Sequence, residues 1–279
     1  MVGAEAIGSA VYDAIVRAAT TLRPDALAAM RDAEARERSP RGRAILGQLL
    51  ENARIAAADD VPLCQDTGSV WVLLEVGESE CIGGDVPAAV NEAVAAAYVD
   101  AHLRMSIVRD ALVDRANTTD NTPAFIDVGF RPGTGVTVTV MLKGGGSDNA
   151  SAVSMLAPGD GEDGVVRFVT EAVSRTGASA CPPLLVGVGV GATFDKVGSL
   201  AKRALLRPIG SANTDSRLAT LERRITAEIN ALGIGPGGLG GTVTALAVHV
   251  ATAPCHIASL PVAVNVGCSA VRSASVEID

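Results

Sequence analysis

The chain has 279 residues, a formal net charge of −8 and a pI near 5.0. Its core must be built from Ala, Val, Leu and Ile, because it holds only one Trp, two Tyr and four Phe. An acidic chain with no basic block is a poor partner for nucleic acid or an anionic membrane, and no run of about twenty apolar residues offers a transmembrane helix.

The N-terminal stretch MVGAEAIGSAVYDAIVRAATTL lacks a cationic n-region and carries Glu5 and Asp13. It reads as an amphipathic helix along Ile7, Val11, Ile15 and Ala19, not as a signal peptide, and the expected compartment is the cytoplasm. Residues 1 to about 60 are mostly helical, with Arg, Asp and Glu filling the face opposite the apolar one in RDAEARERSPRGRAILGQLLENARIAA. SVWVLLEVG is a strand leaving the turn CQDTG. DVPAAVNEAVAAAYVDAHL is a helix capped by Asp85, with Pro87 in its first turn. VGFRPGTGVTVTVMLKGGGS reads as two strands joined by a Pro-Gly-Thr-Gly turn.

GEDGVVRFVTEAVSRTG is a helix, PPLLVGVGVG a buried strand and FDKVGSLAKRALL a further helix. TDSRLATLERRITAEINALG is the clearest helix, with Leu218, Leu221, Ile225, Ile229 and Leu232 on one face, Asp215 at its start and Gly233 at its end. TVTALAVHVATA and PVAVNVGC complete the strands. With no repeat, linker or composition shift, the expectation is one α/β domain over residues 1–279, with mixed β-sheets surrounded by helices.

Two glycine runs invite functional readings. Gly187, Gly189, Gly191 and Ala192 match a G-x-G-x-x-G/A spacing, but no acidic residue follows about 20 positions on to hold a ribose, so close helix–strand packing is the better reading. Lys143-Gly-Gly-Gly-Ser147 at a strand end offers either an anion nest of backbone N–H groups or a flexible turn.

The five cysteines, an odd number in a chain without C-x-x-C pairs, argue against a disulfide framework and a zinc ribbon. Cys64, Cys181 and Cys268 lie at element boundaries, where side chains converge, whereas Cys81 and Cys255 carry no such signal. Buried inert thiols are the plainer alternative for all five. His256 is one of three histidines, and a lone loop histidine is more often structural. Arg104 has the planar fork that clamps a carboxylate, or is an ordinary surface arginine.

Taken together, VPLCQDTGSV, NTTDNTPAF, LKGGGSDNASAVSML, CPPLLVGVGVG, AKRALLRPIG, INALGIGPGGLGG and HIASLPVAVNVGC resemble the class I fumarase family. These iron–sulfur hydro-lyases also include L-tartrate dehydratase. The resemblance runs from about residue 40 to the C-terminus and covers the cluster-carrying half of the family's single-chain members. It implies a [4Fe–4S] cluster held by Cys64, Cys181 and Cys268. Three thiolates leave one iron open to a substrate as a Lewis acid. It further implies that Gln65, Arg104, Gly145 and Gly146 bind a dicarboxylate and that Asp66 and His256 handle protons. Cys81 and Cys255 fall outside the motifs and are structural.

Because family single-chain members continue into a second half, the resemblance also implies an α subunit that pairs with a β subunit, in an oligomer. The loops NTTDNTP, LKGGGSDNAS and GIGPGGLGGTVTAL favour the fumarate/malate type. The alternatives are an L-tartrate or related 2-hydroxy diacid dehydratase and, from another class, a non-catalytic dicarboxylate- or cluster-binding module.

Overall fold

A computed structural model describes all of residues 1–279. In chain order the elements are β1 (Val2–Gly3), α1 (Ala4–Thr20), α2 (Pro24–Arg36), α3 (Pro40–Asp59), β2 (Ser69–Gly77), β3 (Ile82–Gly83), α4 (Val86–Asp100), β4 (Phe125–Arg131) and β5 (Val136–Lys143). There follow α5 (Gly145–Asn149), β6 (Ala152–Leu156), α6 (Gly161–Thr176), β7 (Leu184–Gly191), α7 (Phe194–Ala204), α8 (Ser216–Ala231), β8 (Ala245–Ala253), β9 (Leu260–Gly267) and β10 (Ser273–Ile278). No helix is long and apolar enough to cross a membrane. The chain forms two compact units, neither continuous in sequence. One holds Met1–Arg23, Asn52–Gly145 and Arg272–Asp279; the other holds Pro24–Glu51 and Gly146–Val271. The α/β class with mixed sheets is as the sequence predicts, and each of the two units has its own four-stranded sheet.

In the first unit the sheet order is β10-β5-β2-β4, with β2 parallel to β4 and antiparallel to β5. Strict alternation sends Val70, Val72, Leu74 and Val76 of β2 and Val136, Val138, Val140 and Leu142 of β5 into one apolar cluster with Ile7, Val11, Ile15, Val94 and Tyr98 of α1 and α4. The Asp85 carboxylate accepts the Ala88 N–H at 3.1 Å and caps α4 as expected. The strands joined by Pro132–Gly135 are not a hairpin, because β2 lies between them. The four-residue connection instead wraps the end of β2: the Gly77 N–H donates to Gly135 O and the Ser79 N–H to Gly133 O.

In the second unit the order is β6-β9-β7-β8, with β7 parallel to β8 and antiparallel to β9. Val186 and Val188 face Val165, Val169 and Val173 of α6 and Leu221, Ile225 and Ile229 of α8 in a second apolar cluster. The opposite face of β7 carries glycines for a steric reason. A Cβ on Gly187 would stand 2.1 Å from Ala201 O, and one on Gly189 2.6 Å from Val197 O, both in the α7 backbone. The space a pyrophosphate would need is filled by that helix, so these glycines serve close packing and not a dinucleotide.

Glu37, read from sequence as part of a solvated face, is fully buried. Its carboxylate accepts the N–H groups of Ser39 (2.8 Å), Thr242 (2.9 Å) and Val243 (2.8 Å) and the Thr242 hydroxyl (3.0 Å). Burial pushes its pKa up, but the backbone donors of Ser39, Thr242 and Val243 outweigh that and hold it below the usual carboxylate range. Its contribution is therefore full above the ordinary carboxylate pKa and is lost as pH falls through the lower folded value. Glu37→Gln should cost about 2 kcal/mol at neutral pH, and the gap to the parent should close below about pH 4; urea denaturation across pH reads both. Gly187→Ala should cost about 3 kcal/mol by overpacking against α7 and lower the thermal midpoint.

Candidate functional site

The turn between α3 and β2 is held from every side within the first unit. The Leu63 N–H donates to Ala19 O at 2.8 Å, and Asn52 Nδ2 donates to Leu63 O at 2.9 Å. Thr67 Oγ1 donates to Arg104 O at 2.9 Å, which brings the exposed Arg104 beside the turn. Gly68 O accepts both the Tyr98 hydroxyl (2.9 Å) and Asn121 Nδ2 (3.1 Å). Tyr98 is completely buried, and that burial pushes its phenol well above the ordinary value, so it acts here as a neutral donor. Gly68 adopts φ 77°, and a Cβ there would fall 2.2 Å from Lys143 O, so only glycine lets the turn reach β5. Cys64 and Asp66 are half-buried on this fixed loop, and Gln65 is exposed.

The triple-glycine run is neither a flexible turn nor an open nest. Gly145 begins the short helix α5, and its N–H donates to Asp66 Oδ2 at 2.8 Å. The N–H that the family resemblance assigns to a substrate carboxylate is thus held by a carboxylate of the chain itself. Asp66, Arg104 and Gly145 meet around one turn. Arg272, which the sequence reading missed, joins them by donating Nη1 to Asp66 O.

In the second unit, Cys181 precedes β7 and Cys268 follows β9. Leu185 of β7 pairs with Gly267 of β9, so both thiols belong to the same end of the sheet. The Ser269 N–H donates to Cys181 O at 3.1 Å and ties the two loops. Cys181 is exposed and takes the left-handed conformation at φ 54°. The adjacent Pro182 O accepts the Gly237 N–H at 2.8 Å, which docks the glycine-rich loop anchored by Glu37.

His256 is not in this group. It lies in the exposed connection from β8 to β9, and β8 ends with Ala253 opposite Gly191, the far end of β7. At about 3.3 Å per residue, the strand separates His256 from the cysteine end by roughly 20 Å. Cys81 and Cys255 are exposed, and Cys255 Sγ donates to Ser259 O at 3.3 Å.

None of the five cysteines forms a disulfide. No group of three or more His, Cys, Asp or Glu side chains stands ready to hold a metal ion. The donor set fits an iron–sulfur cubane in kind, with soft thiols on glycine- and proline-fixed loops, and two of the three share one strand end. Arg272 and Glu37 gave no sequence signal. Each is a charged residue within a polar stretch, and burial was set by partners more than 200 positions away.

Residues 8–277 match the family model described as fumarate hydratase (Fumerase). The chain is 38% identical over 276 residues to a putative L(+)-tartrate dehydratase subunit alpha of Methanocaldococcus jannaschii, covering 96% of each chain. It is 35% identical over 253 residues to the L(+)-tartrate dehydratase subunit alpha of Escherichia coli K12, covering 89% of this chain and 82% of that one. The Shigella sonnei protein of the same description gives the same figures. The fumarate/malate preference read from the loops therefore meets relatives that carry the other name. Matched along almost its whole length, the chain belongs to the fumarate hydratase (Fumerase) family of hydro-lyases.

Proposed function

We propose that the chain is the α subunit of a two-subunit iron–sulfur hydro-lyase of the cytoplasm, acting on L(+)-tartrate or a closely related 2-hydroxy diacid. The observation that carries this reading is the alignment with relatives described as L(+)-tartrate dehydratase subunit alpha, which spans 96% of both chains in the archaeal case. The "subunit alpha" in those descriptions supports a β subunit as partner. So does the apolar edge strand β4, which leaves Val128 and Phe130 54% and 81% exposed, the kind of surface a second chain covers. Fumarate/malate is the second reading, supported by the family description.

Cys64, Cys181 and Cys268 would hold the cluster. When bound, a [4Fe–4S] group with three protein ligands supplies an open iron that polarises a hydroxyl or carboxylate oxygen. The remaining work falls to the polypeptide. Losing water from a 2,3-dihydroxy diacid removes a weakly acidic C–H proton and a hydroxide, leaving an enol that takes a proton on carbon to become a 2-oxo diacid. The charge that develops spreads into the neighbouring carboxylate, so fixed donors facing it lower the barrier. Arg104, exposed beside the CQDTG turn, offers a bidentate fork to one carboxylate. Gln65 and the Gly146 backbone offer neutral donors to the other, the Gly145 N–H being taken by Asp66. Asp66 is held as an acceptor within the same turn and relays the proton. His256 is about a strand's length from the cysteine end of its own unit, and its proton-handling role stands only as what the family resemblance implies.

The non-catalytic module is less well supported, because a scaffold has no use for Asp66 and Arg104 at one turn. Anaerobically isolated protein should be brown, with a broad absorbance near ~400 nm that fades in air. Cys64→Ser, Cys181→Ser and Cys268→Ser should each lose most of the bound iron, and Cys81→Ser should not. Co-expressed with its partner chain, the enzyme should give a kcat/KM at least tenfold higher for L(+)-tartrate dehydration than for fumarate hydration. The reverse ratio would establish the second reading.

A further inference from the structure

We propose that Arg272 is a positioning residue that holds the Asp66 turn against the glycine N–H groups at the end of β5. This rests on the reading of Asp66 as part of the reaction site. Arg272 precedes β10 and is only 4% exposed, too enclosed to meet a substrate itself. Its own carbonyl accepts the Leu142 N–H at 2.9 Å, which locks its backbone to β5. Its Nη1 donates to Asp66 O. The neighbouring Val271 is β-branched, buried and at φ 30°, a conformation that costs free energy and persists only where the surroundings impose it.

The second point of contact is a corner left open at Gly144. A Cβ on that residue would stand 3.1 Å from Arg272 Nη2 and 3.1 Å from Asp66 Oδ2. The guanidinium and the carboxylate therefore flank the same empty position from two sides, and the next residue's N–H holds that carboxylate at 2.8 Å. The buried Tyr98 hydroxyl donates to the carbonyls of Thr67 and Gly68 in the same turn.

Arg272 Nε is buried without a hydrogen-bond partner. A guanidinium kept out of water with one nitrogen unsatisfied is costly. A purely space-filling role would be met at less cost by an apolar side chain of similar length. What an apolar residue cannot do is donate to the Asp66 carbonyl from beside Gly144. Arg272 lies four residues after Cys268 in the chain, so the segment that supplies one proposed cluster thiol also supplies the group that orients Asp66.

The test uses the full chain for amide exchange and the co-expressed complex for kinetics. Arg272→Met and Gly144→Ala attack the tie from its two sides. The second leaves the guanidinium in place and inserts a methyl between it and the carboxylate. In both, exchange in residues 61–69 and 143–149 should rise at least tenfold over the parent, with Arg272→Lys intermediate. In both, kcat should fall at least tenfold, with KM changed less than threefold and iron content at the parent level.

Unchanged exchange in those segments for both Arg272→Met and Gly144→Ala would overturn the inference, whatever the activity, and would leave Asp66→Asn as the separate test of the site reading. Raised exchange with kcat untouched would refute the part of Asp66 in the reaction, and the positioning role with it. Loss of iron in parallel with kcat would make Arg272 a support of the fold and not of Asp66.

Discussion

The fixing of one short turn, Leu63 to Gly68, is the constraint from which the rest of the site follows. Its backbone and side chains are engaged by α1, α3, α4, the loop at Asn121, the end of β5 and the start of β10. A turn would ordinarily satisfy its polar groups with water and remain mobile. Here the glycine at 68 permits an approach to Lys143 O that any side chain would block, and Tyr98, buried and neutral, supplies the donor that such an approach leaves wanting. The thiol, amide and carboxylate of Cys64, Gln65 and Asp66 thus sit on a loop fixed from several elements, the preorganisation on which the proposed chemistry relies.

The second unit solves a related problem differently. Two cysteine loops are placed at one end of a sheet by strand register and tied by a single backbone hydrogen bond. The Pro182 carbonyl beside Cys181 is held by a glycine-rich loop, and that loop is anchored by the carboxylate of Glu37. A buried anion surrounded by N–H donors is costly to desolvate but specific in what it holds. It secures a segment too rich in glycine to fix its own conformation.

Local chemistry was readable in the sequence; long-range pairing was not. GVTVTVML alternates, so β5 and its buried face follow from period alone, and the stripe of Leu221, Ile225 and Ile229 announces α8. Gly187 and Gly189 were legible as packing residues because the ribose partner of a nucleotide site was missing. The two strands flanking Pro132–Gly135 were legible, but turn residues say only that the chain reverses, not which strand lies between its arms. Strand β6 was masked by the polar run before it, and Glu37 and Arg272 were hidden because a charged residue looks solvated until its distant partners are known. Within the site, Asp66, Arg104 and Gly145 emerged as neighbours, whereas His256 was placed at the other end of its own sheet from the cysteines.

The interleaving of the two units also bears on how the molecule is made. The central strand β2 has leading residues whose partner, Lys143, emerges from the ribosome some seventy positions later, and the edge strand β10 of the same sheet follows the bulk of the second unit in the chain. The other unit is threaded between these pieces. The first sheet therefore gains β10, the partner of β5, only after the whole second unit has been made, and until then that edge of β5 stays unpaired. Severing the gene between residues 145 and 146 would part β5 from β10 and leave two orphans, not two modules.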